Sequence, residues 1–124
     1  MWLVAFSIIT AALTPFADDG SVDEEAFVAL VAHLLDNGSD GVVVAGTTGE
    51  GTTLTDDEKL RLFELAVSEF GDRGKIVAGT GSNDTAHTVH LTERRHHAGK
   101  QQRMNSGRAR ATAAVAVDQA VETP

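Results

Sequence analysis

A glycine-rich segment, GTTGE at residues 46–50, holds the side chains and backbone best suited to chemistry. Thr47 and Thr48 carry hydroxyls that can relay protons or donate hydrogen bonds, while Gly46 and Gly49 let backbone N–H groups approach a ligand closely. Such N–H groups favour an anion, either a carboxylate or a phosphate. No Lys-Ser/Thr pair follows the glycines and no GxGxxG spacing occurs, which argues against nucleotide and dinucleotide sites. The alternative interpretation is a plain tight turn between a strand and a helix.

Histidines and paired carboxylates are the other candidate ligands and proton carriers. His87 and His90 are three residues apart and could share a helix face, but no third ligand stands at a matching short spacing. Because a metal site needs three or four convergent ligands, we predict no metal site. The acidic pairs at 24–25 and 56–57 precede helical patterns, where negative charge stabilises a helix N-terminus.

Composition excludes several classes of function. The chain of 124 residues has no cysteine, which removes disulfides, thiolate metal sites and a cysteine nucleophile. Its net charge of -8 and its lack of tyrosine argue against nucleic acid as a partner. The apolar N-terminal run is shorter than the roughly 20 residues of a membrane helix, and no basic residue precedes it. We therefore expect a buried strand there, no membrane contact and a cytoplasmic location.

Strands and helices alternate along the first three quarters of the chain. Short apolar runs predict strands near residues 8–13, 41–45 and 75–78, and apolar residues at helical spacing predict a helix after each one. A capping box, Thr55-x-x-Glu58, marks the start of the second helix. This order predicts an α/β fold with parallel strands. A doubly wound sheet suits the short length, whereas a (β/α)8 barrel typically needs about 250 residues.

The chain changes character near residue 94. Residues 1–93 carry four basic and sixteen acidic side chains, whereas residues 94–124 carry six basic and two acidic ones. The second part is rich in alanine and arginine and poor in large apolar side chains. We therefore predict a disordered tail over residues 94–124 without a unique packed position, apart from a helical stretch within 109–121.

Three motifs, taken together, resemble the dihydrodipicolinate synthase family, also called 4-hydroxy-tetrahydrodipicolinate synthase. They are LTPF at 13–16, GTTGE at 46–50 and GTGSND at 79–84, each directly after a predicted strand. The resemblance covers residues 9–93 and implies the first three βα units of a (β/α)8 TIM barrel, which outweighs the argument from length. The form GTTGE favours this family over N-acetylneuraminate lyases, which more often show GSTGE.

The resemblance also implies a reaction. Members condense pyruvate with aspartate-β-semialdehyde through a lysine Schiff base in lysine and diaminopimelate biosynthesis, as homo-oligomers, and we expect no cofactor. Thr47 matches the threonine of the family's proton relay. Thr48 matches the threonine that holds the pyruvate carboxylate, helped by backbone N–H groups of the loop, to which Gly46 and Gly49 belong.

A regulatory cleft is implied at the third motif. Asn83 and His87 fall near the cleft between subunits where some members bind lysine as a feedback inhibitor. His87 stands where lysine-inhibited members often have glutamate, which argues against that regulation in this protein.

Two departures from the family pattern predict that this chain is inactive alone. The Schiff-base lysine lies on the family's sixth strand, beyond the resembling part, and Lys59, Lys75 and Lys100 do not match it. The two relay tyrosines are also missing, since the sequence contains no tyrosine. We therefore predict a fragment whose tail reflects a truncation or a shifted reading frame. The alternatives are another pyruvate-dependent aldolase or lyase of the superfamily, or a non-catalytic partial barrel that binds a carboxylate.

Overall fold

Strands and helices alternate in the computed structural model, which describes residues 6–82, 84–106 and 113–116, with side chains through residue 97. The strands are β1 (Ile9–Ala11), β2 (Gly41–Val44), β3 (Lys75–Gly79) and β4 (Ala113–Ala116), and the helices are α1 (Glu24–Asp36), α2 (Asp56–Phe70) and α3 (Thr85–Ser106). All neighbouring strands are parallel, in the order β1-β2-β3-β4. The three predicted strand–helix pairs are confirmed.

Local capping residues start the helices. Asp23 caps α1, because its carboxylate accepts from the Ala26 N–H at 2.9 Å. At α2 the predicted capping box forms: the Thr55 N–H donates to Glu58 Oε2 at 2.8 Å, and the Glu58 N–H donates to Thr55 Oγ1 at 3.2 Å. Asp84 caps α3 by accepting from the N–H groups two and three residues later. These bonds satisfy backbone donors that a helix N-terminus otherwise leaves unpaired.

The helices cover one face of the sheet. Val42 and Val44 of β2, with Ile76 and Ala78 of β3, point to this face and are buried. They belong to one core with buried residues of α1 and α2, namely Phe27, Val31, Leu62, Phe63, Ala66 and Phe70. Right-handed crossovers between consecutive strands place successive helices on the same side of a sheet. A strand order that runs β1-β2-β3-β4 without reversal is therefore typical of a barrel segment, because the strand order of a doubly wound sheet changes direction at one point.

The chain after residue 93 differs from our expectation of a tail without a packed position. Helix α3 continues unbroken to Ser106, and β4 pairs with β3 inside the 109–121 stretch where we expected a helix. Charge and missing apolar periodicity were misleading here, since helix continuation and strand pairing depend on backbone hydrogen bonds that composition does not report. The rest of the predicted tail lies outside the described residues, and the domain boundary at residue 93 stays a prediction.

Within the part of the chain that the structure describes, no helix is both long and apolar enough to cross a bilayer.

Candidate functional site

The carboxyl ends of the first three strands meet at one edge of the sheet. The loops that leave them are residues 12–23, 45–55 and 80–84. They carry LTPF, GTTGE and, after its first glycine at the end of β3, GTGSND. In parallel α/β folds this edge carries the ligand site, because the loops there can vary without disturbing the core.

Three glycines, two in the central loop and one at the end of β3, pack closely against backbone around the turn that begins this loop. Ala45 has a left-handed backbone with φ of 53°. A side chain at Gly79 would lie 2.5 Å from the carbonyl oxygen of Ala45, and one at Gly51 would overlap the same oxygen. A side chain at Gly49 would lie 2.8 Å from the Ala12 carbonyl oxygen. Only glycine lets these backbones approach so closely, so the loop rests on a rigid frame.

The predicted site residues lie together on this frame. Thr47 and Thr48 are exposed, and Gly49 is buried directly after them. The Gly51 N–H donates to the Gly46 carbonyl oxygen at 3.0 Å, which closes the loop. The structure therefore presents two hydroxyl side chains on a short, closed loop at the carboxyl edge. This arrangement can receive a small anion, and the individual roles of the four residues stay predictions.

Thr14 is a functional candidate that we did not identify from the sequence beyond its place in LTPF. Its side chain is 7% exposed, and its hydroxyl donates to the Gly49 carbonyl oxygen at 2.6 Å. The bond ties the end of β1 to the GTTGE loop. The signal available beforehand was the position before Pro15, which holds a residue in extended backbone. The sequence does not reveal that the Thr14 hydroxyl bonds to Gly49, because the two residues are 35 positions apart.

Hydroxyl groups also hold the third loop against α3. Thr80 is fully buried and accepts from the Thr92 hydroxyl at 3.0 Å. The Ser82 N–H donates to Thr88 Oγ1 at 3.0 Å, and that hydroxyl donates to the Asp84 carbonyl oxygen at 3.0 Å. These bonds hold the segment that directly follows Gly79, the glycine packed against the central loop.

His87, one of the two predicted cleft residues, is already engaged with α2. Its Nε2 lies 2.8 and 3.0 Å from the two carboxylate oxygens of Asp56. Arg94 donates to Asp57 Oδ1 at 2.8 Å and lies 3.8 Å from Asp56 Oδ2, so both acidic residues at the start of α2 are paired with α3. Asn83, the other predicted cleft residue, lies outside the described residues.

The lysines do not approach the GTTGE loop from a strand end. Lys59 is buried in the second turn of α2, and Lys75 begins β3 with its Nζ 3.2 Å from Ser7 Oγ. Lys100 belongs to α3. Thus none of the lysines in the described part stands at the carboxyl end of a strand. Throughout the described part of the chain, no three His, Asp or Glu side chains form a cluster that could hold a metal ion.

Comparisons with known proteins agree with this architecture. The sequence model of the Dihydrodipicolinate synthetase family matches residues 5–104. A 4-hydroxy-tetrahydrodipicolinate synthase from Acidothermus cellulolyticus is 48% identical over 92 residues, which cover 74% of this chain and 30% of that protein. The crystal structure of dihydrodipicolinate synthase from Aquifex aeolicus matches with a TM-score of 0.72 and 40% identity, over 88% of this chain and 33% of that chain.

A solved relative with a bound ligand matches as well. YagE, a prophage protein of the dihydrodipicolinic acid synthase family from E. coli K12 determined in complex with pyruvate, has a TM-score of 0.69 and 29% identity, over 75% of this chain and 31% of that chain. This chain thus spans 30 to 33% of the Acidothermus and Aquifex relatives. The family match extends past residue 93 into the second half of α3. On sequence, strand order and loop motifs alike, the chain belongs to the dihydrodipicolinate synthetase family.

Proposed function

We propose that this chain supplies the pyruvate-binding loop of a 4-hydroxy-tetrahydrodipicolinate synthase, a cytoplasmic enzyme of lysine and diaminopimelate biosynthesis. The proposed reaction condenses pyruvate with aspartate-β-semialdehyde through a lysine Schiff base. The observation that carries the proposal is the exposed pair Thr47 and Thr48 on a glycine-framed loop at the carboxyl edge. The pyruvate bound by YagE supports the choice of ligand.

The loop suits a small carboxylate for physical reasons. The Thr48 hydroxyl and nearby backbone N–H groups offer neutral donors, and a short loop closed by the bond from Gly51 to Gly46 keeps them in place. Preorganised donors need little rearrangement when negative charge arrives. The Thr47 hydroxyl, on the same loop, would pass protons to and from the Schiff-base intermediate.

By itself the chain lacks the amine that the reaction needs. An amine forms an imine efficiently when partial desolvation lowers its pKa, and in a barrel that place is the carboxyl end of a strand. Lys75 begins its strand, and Lys59 and Lys100 lie on helices. We therefore propose that the chain is inactive alone and that the amine comes from sequence beyond the matched third of the barrel.

Reductive trapping tests both halves of this proposal. Borohydride makes an imine permanent, so labelled pyruvate should remain attached to a chimera in which residues of this chain replace the 92 aligned residues of the Acidothermus enzyme. The 124-residue chain should retain no label under the same conditions. Label on any lysine of the chain alone would overturn the claim of inactivity, and an unlabelled, folded chimera would overturn the pyruvate site.

The proposal includes a regulatory cleft lined by Asn83 and His87. Because the His87 ring is held by Asp56, a lysine ligand would have to displace that contact or bind beside it. We therefore propose weak lysine inhibition. In the chimera, His87→Glu should increase the inhibition by lysine, while the exposed His90→Glu should not. Strong inhibition before any substitution would contradict the proposal.

A further inference from the structure

We propose that Thr14 is a positioning residue for the GTTGE loop, because its hydroxyl fixes the orientation of the peptide group between Gly49 and Glu50. The choice of pyruvate as the ligand rests on the proposed function, whereas the orientation of this peptide group rests on the geometry of the loop. Thr14 is buried and acts on a ligand only through that peptide group.

Hydrogen bonds hold this peptide group at both of its polar ends. The Gly49 carbonyl oxygen accepts from the buried Thr14 hydroxyl at 2.6 Å. On the other side of the same peptide group, the Glu50 N–H donates to the Thr47 carbonyl oxygen at 3.1 Å. The second bond closes a tight turn that contains both exposed threonines of the motif. The orientation of the peptide group therefore sets where Thr47 and Thr48 lie.

The backbone of Glu50 opposes this orientation. Its φ is 56°, in the left-handed region that residues other than glycine rarely occupy. Reversing the peptide group would carry this φ into the extended region, and glycine at position 49 would tolerate the accompanying change. The Gly49 carbonyl oxygen would then leave Thr14 and face the Thr47 carbonyl oxygen, so the turn would lose its closing bond. The Thr14 hydroxyl thus prevents a reversal that the backbone of Glu50 favours.

Close packing around Gly49 brings the Thr14 hydroxyl within reach of the peptide group. A side chain at position 49 would lie 3.2 Å from Thr14 Oγ1 and 2.8 Å from the Ala12 carbonyl oxygen, so only glycine fits there without displacement. Because Thr14 is buried, water has little access to replace its hydroxyl as the donor. One buried hydrogen bond therefore controls the orientation of the peptide group.

Nuclear magnetic resonance of the 124-residue chain tests this orientation without any ligand. The distance between the amide and α hydrogens of one residue is shorter in left-handed than in extended backbone, so their cross-peak reports the φ of Glu50. In Thr14→Val the Glu50 cross-peak should lose most of its intensity. Thr14→Ser keeps the hydroxyl and should keep the cross-peak.

Steady-state kinetics of the Acidothermus chimera tests the effect on the ligand. Thr14→Val should raise KM for pyruvate by about tenfold, because displaced donors bind the carboxylate more weakly in the ground state and the transition state alike. Thr14→Ser should leave KM within about twofold of its starting value, because the donor is retained. A merely structural role would instead lower the amount of folded enzyme, which reduces the apparent kcat and leaves KM unchanged.

Substitutions at Glu50, an exposed position, test the same peptide group from its other side. In the Thr14→Val chimera, adding Glu50→Gly should lower KM again, whereas adding Glu50→Ala should not, because glycine adopts left-handed backbone at little cost. With Thr14 intact, Glu50→Val should raise KM more than Glu50→Ala, since a β-branched side chain disfavours that backbone further. This second pair decides the proposal even where Thr14→Val fails to fold.

Several results would overturn the positioning role. They are an unchanged Glu50 φ in folded Thr14→Val, equal effects of Thr14→Val and Thr14→Ser on KM, and equal effects of the two paired substitutions at Glu50. A changed φ with an unchanged KM would overturn it as well. A folded, unmodified chimera that binds no pyruvate would reject the proposed function, and the φ of Glu50 in the 124-residue chain would still decide whether Thr14 fixes the peptide group.

Discussion

Thr14 links the loop after β1 to the GTTGE loop through one buried hydrogen bond, and removing its hydroxyl tests how much that bond stabilises the fold. In Thr14→Val the Gly49 carbonyl oxygen loses this donor while the shape of the side chain is kept. We expect the free energy of unfolding to fall by about 1–3 kcal/mol, the usual cost of a buried group left without its partner. Urea denaturation provides the measurement. Thr14→Ser retains the hydroxyl and should lie closer to the unmodified chain, so equal loss in both variants would reject the hydrogen bond as the cause.

The two exposed threonines of the central loop should differ in their kinetic effects. In the Acidothermus chimera, Thr47→Val should lower kcat by roughly 10²–10⁴, the range for a lost proton-transfer group. Thr48→Val should mainly raise KM for pyruvate, because it removes a donor to the carboxylate. Steady-state kinetics separates the two constants.

A matched control for these variants lies in the same loop. Thr52→Val changes an exposed threonine outside the proposed carboxylate and relay groups and should leave both constants near their starting values. If Thr52→Val and Thr47→Val lowered kcat alike, the assignment of a proton relay to Thr47 would be wrong.

At the scale of elements, an ion pair joins α1 to α2. Arg61 donates to both carboxylate oxygens of Glu24 at 2.8 and 3.0 Å, and this contact holds the pKa of Glu24 below its ordinary value of 4.5. A carboxyl group with a lowered pKa in the folded state adds stability above its unfolded pKa, and that stability disappears as pH falls through the folded pKa. Glu24→Gln should therefore reduce stability at pH 7 and have no effect at pH well below 4.5.

Thermal unfolding at both pH values measures this dependence, with Glu25→Gln as the neighbouring control. The effect should be small, because both side chains of the pair are exposed to solvent and screened. A stability difference that persists unchanged at low pH would show that the Glu24 side chain acts through packing and not through its charge.

At the scale of the whole molecule, the apolar side chains exposed around β1 should be detectable with a dye. The exposed apolar side chains of Phe6, Ile8 and Leu13, which lie just before and after β1, should bind the apolar dye ANS at neutral pH. Ile8→Lys should reduce the fluorescence of the chain more than Val89→Lys does, because only Ile8 adjoins the β1 edge. Equal fluorescence of the two variants would place the dye on another surface.

Sequence and structure contributed differently at each scale. The capping box at Thr55, the strands and the GTTGE loop were predictable, because caps, alternating apolar runs and glycine spacing are signals within a few residues. Local signals of this kind did not predict the secondary structure after residue 93. Helix α3 extends to Ser106 and β4 pairs with β3, since the edge of an existing strand supplies partners that composition cannot reveal.

The sequence by itself determined the order of elements, the loop that carries Thr47 and Thr48, and the family resemblance. Tertiary structure decided which distant groups meet. Thr14 reaches Gly49 across 35 residues, His87 reaches Asp56 across 31, and Gly79 packs against Ala45. These contacts depend on the parallel register of neighbouring strands, and register follows from the collective packing of α1 and α2 on one face. No local sequence pattern encodes this register, because each residue of such a pair fits its own loop, strand or helix whether or not the distant residue lies beside it.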